Sequence, residues 1–330
     1  MHYQRIDFHH HITPEFYLEM LASIGIRDSL GHAFPEWTPE KSLTFMKKNG
    51  IAKAMLSVST PGVCVGDDAF ARTLARECNE YMARTKEVYH GRFGGFAALP
   101  ATQPEAAAEE AAYALGTLGL DGVGLLSHYD GIYLGDARYD PLFEELNRRR
   151  AVVFLHPTDP TGTYDPELGI PNALIEAPFE TTRAVTNMLY TGVLERYPDI
   201  SFVLAHGGGT LPYIGWRAAL IRYGKKGEKP PVLRSMYDFL IKHGPETGIQ
   251  ILKRMYYDTA LVSGTAALGA LKEFAGPGHI VFGSDFPFAK LAPVVSSNLR
   301  RYMVASEAEF AMVDHENGET LLNGTSVPLN

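Results

Sequence analysis

Short apolar segments alternate with helix-like segments along the chain, and this alternation constrains the fold more than any other feature. Eight segments have strand-like composition: Gln4–His9, Ala52–Ser57, Phe93–Leu99, Gly122–Ser127, Val152–His156, Ser201–His206, Met255–Thr259 and Ile280–Ser284. Most are apolar on both faces, which is typical of parallel strands in a fully covered sheet. Helical composition or spacing marks four of the segments between them: Asp67–Val88, Pro104–Leu118, Tyr139–Arg150 and Thr181–Arg196.

The order of these segments predicts an α/β fold, a (β/α)8 TIM barrel, and we expect residues 1–330 to form one domain. No glycine-rich GxGxxG motif follows the first strand, which argues against nucleotide binding. Two stretches exceed a minimal barrel, and they predict insertions after strand 1 (Thr13–Pro39) and strand 6 (Tyr223–Gly248). Because loops after barrel strands build the active-site face, the first insertion is expected to form a lid or pocket wall. The second could instead contact another subunit.

Composition and charge exclude several classes of partner. The formal net charge is −8 and the isoelectric point is near 5.8, so we expect no nucleic-acid partner, which would require a basic face. No apolar stretch is long enough to span a membrane, and residues 1–12 lack the apolar run of a signal peptide. The two cysteines, Cys64 and Cys78, are expected to be reduced thiols in a cytoplasmic protein.

The first strand ends in three consecutive histidines. Side chains alternate along an extended chain, so His9 and His11 face one way and His10 faces the other. Two imidazoles at this spacing can bind one metal ion at about 2.0–2.1 Å each. An accidental histidine cluster or a tag remnant is the alternative, but a position at the end of a predicted barrel strand favours a metal site.

Three further apolar strands also end in a polar side chain. The fifth strand runs into His156, the sixth into His206 and the eighth into Asp285. The carboxyl ends of barrel strands share one rim, so these groups are expected to converge with the first-strand histidines. A single histidine of this kind is commonly a core residue, whereas five groups on one rim indicate a metal site.

This arrangement, HxH on strand 1, histidine on strands 5 and 6 and aspartate on strand 8, resembles the amidohydrolase superfamily. Three motifs resemble one branch of it: Glu180-Thr181-Thr182, His206-Gly207-Gly208-Gly209 and Gly283-Ser284-Asp285-Phe286-Pro287. That branch includes aminocarboxymuconate-semialdehyde, γ-resorcylate, 5-carboxyvanillate and 6-methylsalicylate decarboxylases. The resemblance covers essentially the whole chain and implies a metal-dependent carboxy-lyase. Hydrolases and a hydratase share the branch, so the motifs specify the superfamily more closely than the reaction.

The resemblance assigns one divalent metal ion four ligands: His9, His11, His156 and Asp285. It places His206 beside the metal as a catalytic group. In binuclear relatives a carboxylated lysine at the end of strand 4 bridges two metals, but here that strand ends at Ser127-His128, which indicates a mononuclear site. Three imidazoles and a carboxylate suit Zn²⁺, and Mn²⁺ is the alternative. One coordination position would remain for water or substrate.

The candidates for substrate binding are Trp37, His128, Arg217 and Phe286. By resemblance, Arg217 binds a substrate carboxylate and is lent across a dimer interface, which implies a homodimer or higher homo-oligomer. A solvent-facing helix arginine is the alternative. Trp37, Phe286 and Phe288 either line an aromatic pocket or pack in the core. Relatives carry a second arginine early in the helix after strand 1, and its absence from Trp37–Thr44 favours a monocarboxylate substrate.

The resemblance leads to a working hypothesis, the non-oxidative decarboxylation of an ortho-hydroxybenzoate, with 6-methylsalicylate as the nearest named substrate. Asp285 would protonate the ring carbon that bears the carboxylate, and His206 would orient the reacting group. Hydrolysis of a lactone or amide is the first alternative, since the same site could activate a water. A non-catalytic metal-binding barrel is the second.

Overall fold

Eight parallel strands form one sheet, hydrogen-bonded in the order in which they occur in the chain. The computed structural model describes residues 4–29, 31–161, 169–221, 246–262, 264–289 and 299–324. The strands are β1 (Arg5–His11), β2 (Ile51–Ser57), β3 (Phe93–Ala98), β4 (Gly122–Leu126), β5 (Val152–His156), β6 (Ser201–Leu204), β7 (Tyr256–Asp258) and β8 (Ile280–Val281).

The sheet closes where β8 returns to β1. The backbone N–H of Phe8 donates to the carbonyl of Phe282 at 2.9 Å, and that of Asp285 donates to the carbonyl of His9 at 2.8 Å. The predicted (β/α)8 barrel is therefore confirmed. The last strand is shorter than the predicted Ile280–Ser284 because the N–H of Phe282 bonds instead to the carbonyl of Val313.

Helices separate the strands and cover the outside of the sheet. They are α1 (Glu15–Ser23), α2 (Pro39–Asn49), α3 (Asp68–Val88), α4 (Pro104–Gly116), α5 (Asp140–Arg148), α6 (Glu176–Thr191), α7 (Val193–Arg196), α8 (Leu211–Ile221), α9 (Glu246–Lys253), α10 (Thr265–Ala275), α11 (Glu307–Ala311) and α12 (Asn317–Leu322). Local sequence explains several boundaries. Asp67 caps α3 by accepting from the N–H of Phe70, and Pro104 occupies the first turn of α4, where its missing N–H costs nothing.

The predicted insertion after β1 contains α1 and a short hairpin in which Asp28–Ser29 pairs with His32–Ala33. It packs on the barrel because Tyr17 and Leu21 of α1 join a buried cluster with residues of the β2–α3 connection and α3. Most of the second predicted insertion, Tyr223–Gly248, lies outside the described residues.

Large apolar side chains fill the interior of the barrel. Phe8, Phe96 and Phe154 are fully buried there, and the rings of Phe96 and Phe154 stack with their centroids 5.5 Å apart. Burying one such side chain contributes about 1.5–3 kcal/mol. These rings fill the barrel axis below the carboxyl ends of the strands. The polar residues that follow the strands therefore lie above the rings, at one end of the barrel. Among the described residues, no helix has the length and apolar character needed to cross a membrane.

Candidate metal centre and active site

Four buried side chains from three strand ends converge on one point. His9 and His11 extend from β1, His156 ends β5 and Asp285 follows β8, and one ligand atom from each lies within 4.8 Å of all the others. The Nε2 atoms of His9 and His11 are each 3.3 Å from Oδ1 of Asp285. The structure therefore brings together the complete set of ligands that the sequence predicts.

The hydrogen bonds around the histidines leave their Nε2 atoms available to a cation. Nδ1 of His156 donates to the carbonyl of Pro157 at 2.7 Å, and Nδ1 of His9 lies 2.6 Å from Oδ2 of Asp258. Nδ1 of His11 lies 2.9 Å from Oγ of Ser57. The buried Nε2 atoms of His9 and His11 have no hydrogen-bond partner. A metal site typically contains histidines whose second ring nitrogen is hydrogen-bonded to the protein, so that the unpaired nitrogens converge on the metal position.

The titration behaviour of the cluster also fits a cation. Burial disfavours the charged form of His9, but the carboxylates of Asp258 and Asp285 more than offset this effect and raise its pKa to about 10. Burial lowers the pKa of His11 to about 4 and that of His156 well below its usual value. Although burial opposes ionisation of Asp285, the charge of His9 and the close approach of the His11 and His9 rings hold the pKa of Asp285 well below its usual value. His11 and His156 are thus held neutral and Asp285 is held ionised, the forms in which these side chains can bind a divalent ion.

His206 lies beside the four ligands rather than among them. Its ring centroid is 4.7 Å from that of His9 and 5.6 Å from that of His156. Its Nδ1 donates to the carbonyl of Ala260 at 3.3 Å, so Nε2 carries the free lone pair. Burial, with the charge of His9 next, lowers the pKa of His206. A neutral imidazole at this point can accept or relay a hydrogen bond from a bound molecule.

Two site residues adopt a backbone conformation that is uncommon for residues other than glycine. The φ angle is 54° at His206 and 59° at Asp285. Non-glycine residues in this left-handed region are often found at functional sites, where the surrounding structure holds them. Gly209 completes the turn after His206, and a Cβ atom there would lie 2.0 Å from the carbonyl oxygen of Pro178. Only glycine fits at this position.

His10 faces away from the cluster, as the alternation along β1 predicts. Its Nε2 lies 2.8 Å from Oγ of Ser42, and its Nδ1 lies 3.0 Å from Oδ2 of Asp7. Because the indole N–H of Trp37 donates to the same Ser42 oxygen, the Ser42 hydroxyl is free to donate to His10. Trp37 is a predicted substrate contact. The structure places its buried ring in the core behind β1, 6.1 Å from the ring of Tyr81.

The other predicted substrate contacts lie in different surroundings. Phe286 stacks on Phe45 with centroids 4.4 Å apart, whereas the ring of Phe288 meets His11 edge-on at 5.6 Å. Nε2 of His128 donates to the carbonyl of Asp159 at 2.9 Å, and its Nδ1 is buried. Phe288 is thus the aromatic side chain of this group that directly contacts a proposed ligand.

Arg217 lies on the exposed side of α8. Its neighbours on that helix are also exposed, since Tyr213 shows 90% and Trp216 58% of its surface to solvent. Exposed apolar side chains that form a contiguous patch can mark a surface that contacts another molecule.

Asp258 is a site residue that the sequence analysis missed. It ends β7, is fully buried and bonds to both His9 and the backbone N–H of His206. The signal that identified the other residues was also present here, because Tyr256 and Tyr257 precede a carboxylate at a strand end.

Comparison with known proteins agrees with this geometry. "Decarboxylase yanB" of Aspergillus niger is 38% identical over 306 residues, covering 88% of this chain and 79% of that protein. The 6-methylsalicylic acid decarboxylase of Penicillium expansum is 37% identical over 289 residues, covering 86% and 85%. The crystal structure of a dihydroxybenzoic acid decarboxylase from Polaromonas, with bound manganese and the inhibitor 2-nitroresorcinol, superposes with a TM-score of 0.78 at 23% identity, covering 98% of this chain and 97% of that one.

A family model also matches nearly the whole chain. The model described as amidohydrolase matches residues 6–323. This range includes all four proposed metal ligands and every strand of the barrel, apart from the first residue of β1. The resemblance expected from the strand-end motifs is therefore confirmed, and the chain belongs to the amidohydrolase family.

Proposed function

We propose that this protein is a metal-dependent, non-oxidative decarboxylase of an ortho-hydroxybenzoate, with 6-methylsalicylate as the nearest named substrate. The observation that carries the proposal is the buried cluster of three histidines and Asp285, with His206 beside it. The two fungal relatives bear decarboxylase names and align over most of this chain. A site of this kind suits a substrate that presents a carboxylate and an adjacent hydroxyl.

The cofactor is one divalent metal ion held by His9, His11, His156 and Asp285. Three imidazoles and one carboxylate suit Zn²⁺, which remains our first expectation. Mn²⁺ is the alternative, supported by the manganese in the Polaromonas decarboxylase structure. When bound, the metal would supply Lewis acidity and a template for the substrate carboxylate and hydroxyl.

Asp285 acts first as a base and then as an acid. Its low pKa keeps it ionised before the substrate binds, so it can take the proton of the substrate hydroxyl. It then delivers this proton to the ring carbon that bears the carboxylate, and the ring loses its aromaticity as the C–H bond forms. The C–C bond breaks, its electron pair returns to the ring and carbon dioxide leaves. The phenolate product takes a proton from water on release.

His206 and Phe288 position the substrate. Nε2 of His206 has a free lone pair, because Nδ1 is committed to the carbonyl of Ala260, and it accepts a hydrogen bond from the substrate hydroxyl until Asp285 takes that proton. The ring of Phe288, at the edge of His11, provides an apolar surface for the substrate ring. The side chains of His9, His11, His156 and Asp285 beside them are buried, which limits the access of water to this point.

Arg217 provides the carboxylate contact from a partner subunit. It is exposed on α8 beside Trp216 and Tyr213, a surface that a second copy of the chain would cover. The protein is therefore proposed to be a homodimer or higher homo-oligomer. The free thiols of Cys64 and Cys78 agree with the proposed cytoplasmic location.

The proposal is tested by product analysis with a panel of substituted 2-hydroxybenzoates. Protein stripped with a chelator is compared with the same protein reloaded with Zn²⁺ or Mn²⁺, and carbon dioxide and the matching phenol are measured. We expect equal amounts of both products from the reloaded protein and neither from the stripped protein. If the reloaded protein with confirmed metal content is inactive on the panel, but hydrolyses lactones or amides, decarboxylation is contradicted.

A further inference from the structure

One fully buried carboxylate is hydrogen-bonded to two different functional residues. Oδ2 of Asp258 lies 2.6 Å from Nδ1 of His9, and Oδ1 accepts from the backbone N–H of His206 at 2.8 Å and of Ala260 at 3.0 Å. Asp258 does not belong to the group of four possible ligands. Both of its oxygens are engaged in bonds that face away from the metal position.

The bond to His9 determines which ring nitrogen of that histidine can bind a metal. A carboxylate only accepts hydrogen bonds, so Nδ1 of His9 must carry the proton. In the metal-binding form, in which the ring is neutral, the lone pair is then on Nε2, the atom that lies 3.3 Å from Oδ1 of Asp285. A metal-binding histidine needs this tautomer, and a carboxylate behind the ring stabilises it.

The bonds to the backbone place His206 in a similar way. Asp258 fixes the N–H of Ala260, and the carbonyl of Ala260 accepts from Nδ1 of His206. Asp258 also holds the N–H of His206 itself, where φ is 54°. The same carboxylate thus stabilises the strained backbone of His206 and, through Ala260, the tautomer whose Nε2 faces the site.

Close packing leaves little freedom for these contacts to shift. A Cβ atom on Gly283 would lie 2.9 Å from Cβ of His9 and 3.1 Å from Cβ of Asp258. Because Gly283 has no side chain, the segment after β8 can approach β1 and β7. This close approach keeps the imidazole of His9 against the carboxylate of Asp258.

We propose that Asp258 is the positioning residue of this site, and that it sets metal affinity through the tautomer of His9 and the reactivity of the site through the placement of His206. The inference rests on the metal site of the proposed function. It is independent of the substrate, because metal binding can be measured without turnover.

Asp258→Asn separates the two roles. The N–H groups of His206 and Ala260 require an acceptor, so the amide oxygen should face them and the amide NH₂ should face His9. Nδ1 of His9 then becomes the acceptor and its Nε2 is protonated, which removes the lone pair from the metal position. The backbone of His206 keeps its hydrogen bonds.

The experiment measures the dissociation constant of Zn²⁺ by chelator competition for the full-length parent, Asp258→Asn and Asp121→Asn. Asp121 is a matched control, because it accepts from Lys53, Lys86 and the N–H of Gly95 and is not one of the four possible ligands. We expect Asp258→Asn to weaken Zn²⁺ binding about 10–100-fold and Asp121→Asn to leave it within threefold. An Asp258→Asn protein that binds Zn²⁺ within threefold of the parent overturns the proposal.

A second measurement on the Zn²⁺-loaded parent protects the test against a variant that does not fold. Nitrogen chemical shifts of ¹⁵N-labelled histidines identify the protonated ring nitrogen, with assignment by single histidine substitutions. We expect protonated Nδ1 in both His9 and His206. Protonation of Nε2 in His206 overturns the proposed role of Asp258 in setting that tautomer. A parent protein with both tautomers as expected, but without decarboxylase activity, contradicts the proposed function alone.

Discussion

The carboxylate of Asp7 accepts two hydrogen bonds from Ser284, one from its backbone N–H at 2.9 Å and one from its hydroxyl at 2.6 Å. Asp7 lies in β1, two residues before His9, and Ser284 immediately precedes Asp285. This pair therefore joins the two chain segments that provide three of the four proposed metal ligands. The spacing of these three ligands therefore depends on the contact between Asp7 and Ser284, which lies behind the site.

Replacing Ser284 with alanine is expected to lower the free energy of unfolding. Asp7 would keep only the bonds from the Ser284 backbone, His9 and His10, and a buried acceptor that loses one partner costs about 1–3 kcal/mol. Urea unfolding measures the change. Ser23→Ala is the matched control, since its exposed hydroxyl bonds only to the carbonyl of Met20, and it should change stability by less than about 0.5 kcal/mol. Equal effects of the two substitutions would contradict the role of the Asp7–Ser284 contact.

His206→Gln is expected to reduce turnover about 10²–10⁴-fold, the usual contribution of a positioned acid or base side chain. Metal content should stay unchanged because His206 lies outside the four-ligand cluster. Steady-state kinetics and metal analysis of the same preparation measure both quantities. Loss of the metal from this variant would instead assign His206 to the ligand set.

Arg217→Ala is expected to raise KM for the carboxylate substrate, and Trp216→Glu is expected to shift the protein towards the monomer. Both side chains are exposed on α8, and a buried charge at a subunit interface is unfavourable. Light scattering gives the mass in solution, and kinetics give KM. A parent protein that is monomeric at assay concentrations would contradict the proposed role of Arg217 across an interface.

The stability of the protein is expected to fall at acid pH partly through His279. Burial lowers the pKa of this imidazole in the folded chain, and contacts with the backbone of Met255 and Arg254 offset this only in part. Below about pH 6.5 the unfolded chain protonates it more readily than the folded chain does, so unfolding takes up a proton. The free energy of unfolding therefore decreases as the pH falls through this value, and the full contribution is present above it.

Urea unfolding of the parent and His279→Gln between about pH 5 and 8 isolates this contribution, because the other histidines are common to both proteins. The parent should lose stability more steeply than the variant on acidification. Parallel curves would show that His279 does not contribute to the pH dependence.

Much of the fold and of the site could be predicted from the sequence because two simple patterns hold. Side chains alternate along a strand, and apolar strands end in polar side chains on one rim. Alternation from His9 to His11 places these two side chains on one side of β1 and His10 on the other, as the hydrogen bonds of His10 show. Polar side chains that end apolar strands identified His156 and Asp285 because parallel strands end on one rim.

The remaining features depend on contacts between distant segments. Asp285 adopts a left-handed conformation and its N–H bonds to the carbonyl of His9 in a distant segment, and sequence periodicity encodes neither feature. The sequence leaves open whether Trp37 lines a pocket or packs in the core, and in the structure its buried ring packs beside Tyr81 of α3. Asp258 was missed because a carboxylate at a strand end can either bind the metal or position another residue. Which of the two it does depends on the groups that its oxygens face.

The role of Asp285 as base and acid is tested by the turnover of Asp285→Asn, with its metal content measured in the same sample. The parent, loaded with Zn²⁺ or Mn²⁺, is compared with the variant on the best substrate of the 2-hydroxybenzoate panel, and thermal unfolding verifies that both are folded. Because the amide can neither take nor deliver the proton, the account predicts loss of turnover by at least about 10³-fold in folded, metal-containing protein. A folded, metal-containing variant that keeps most of the parental activity would contradict it.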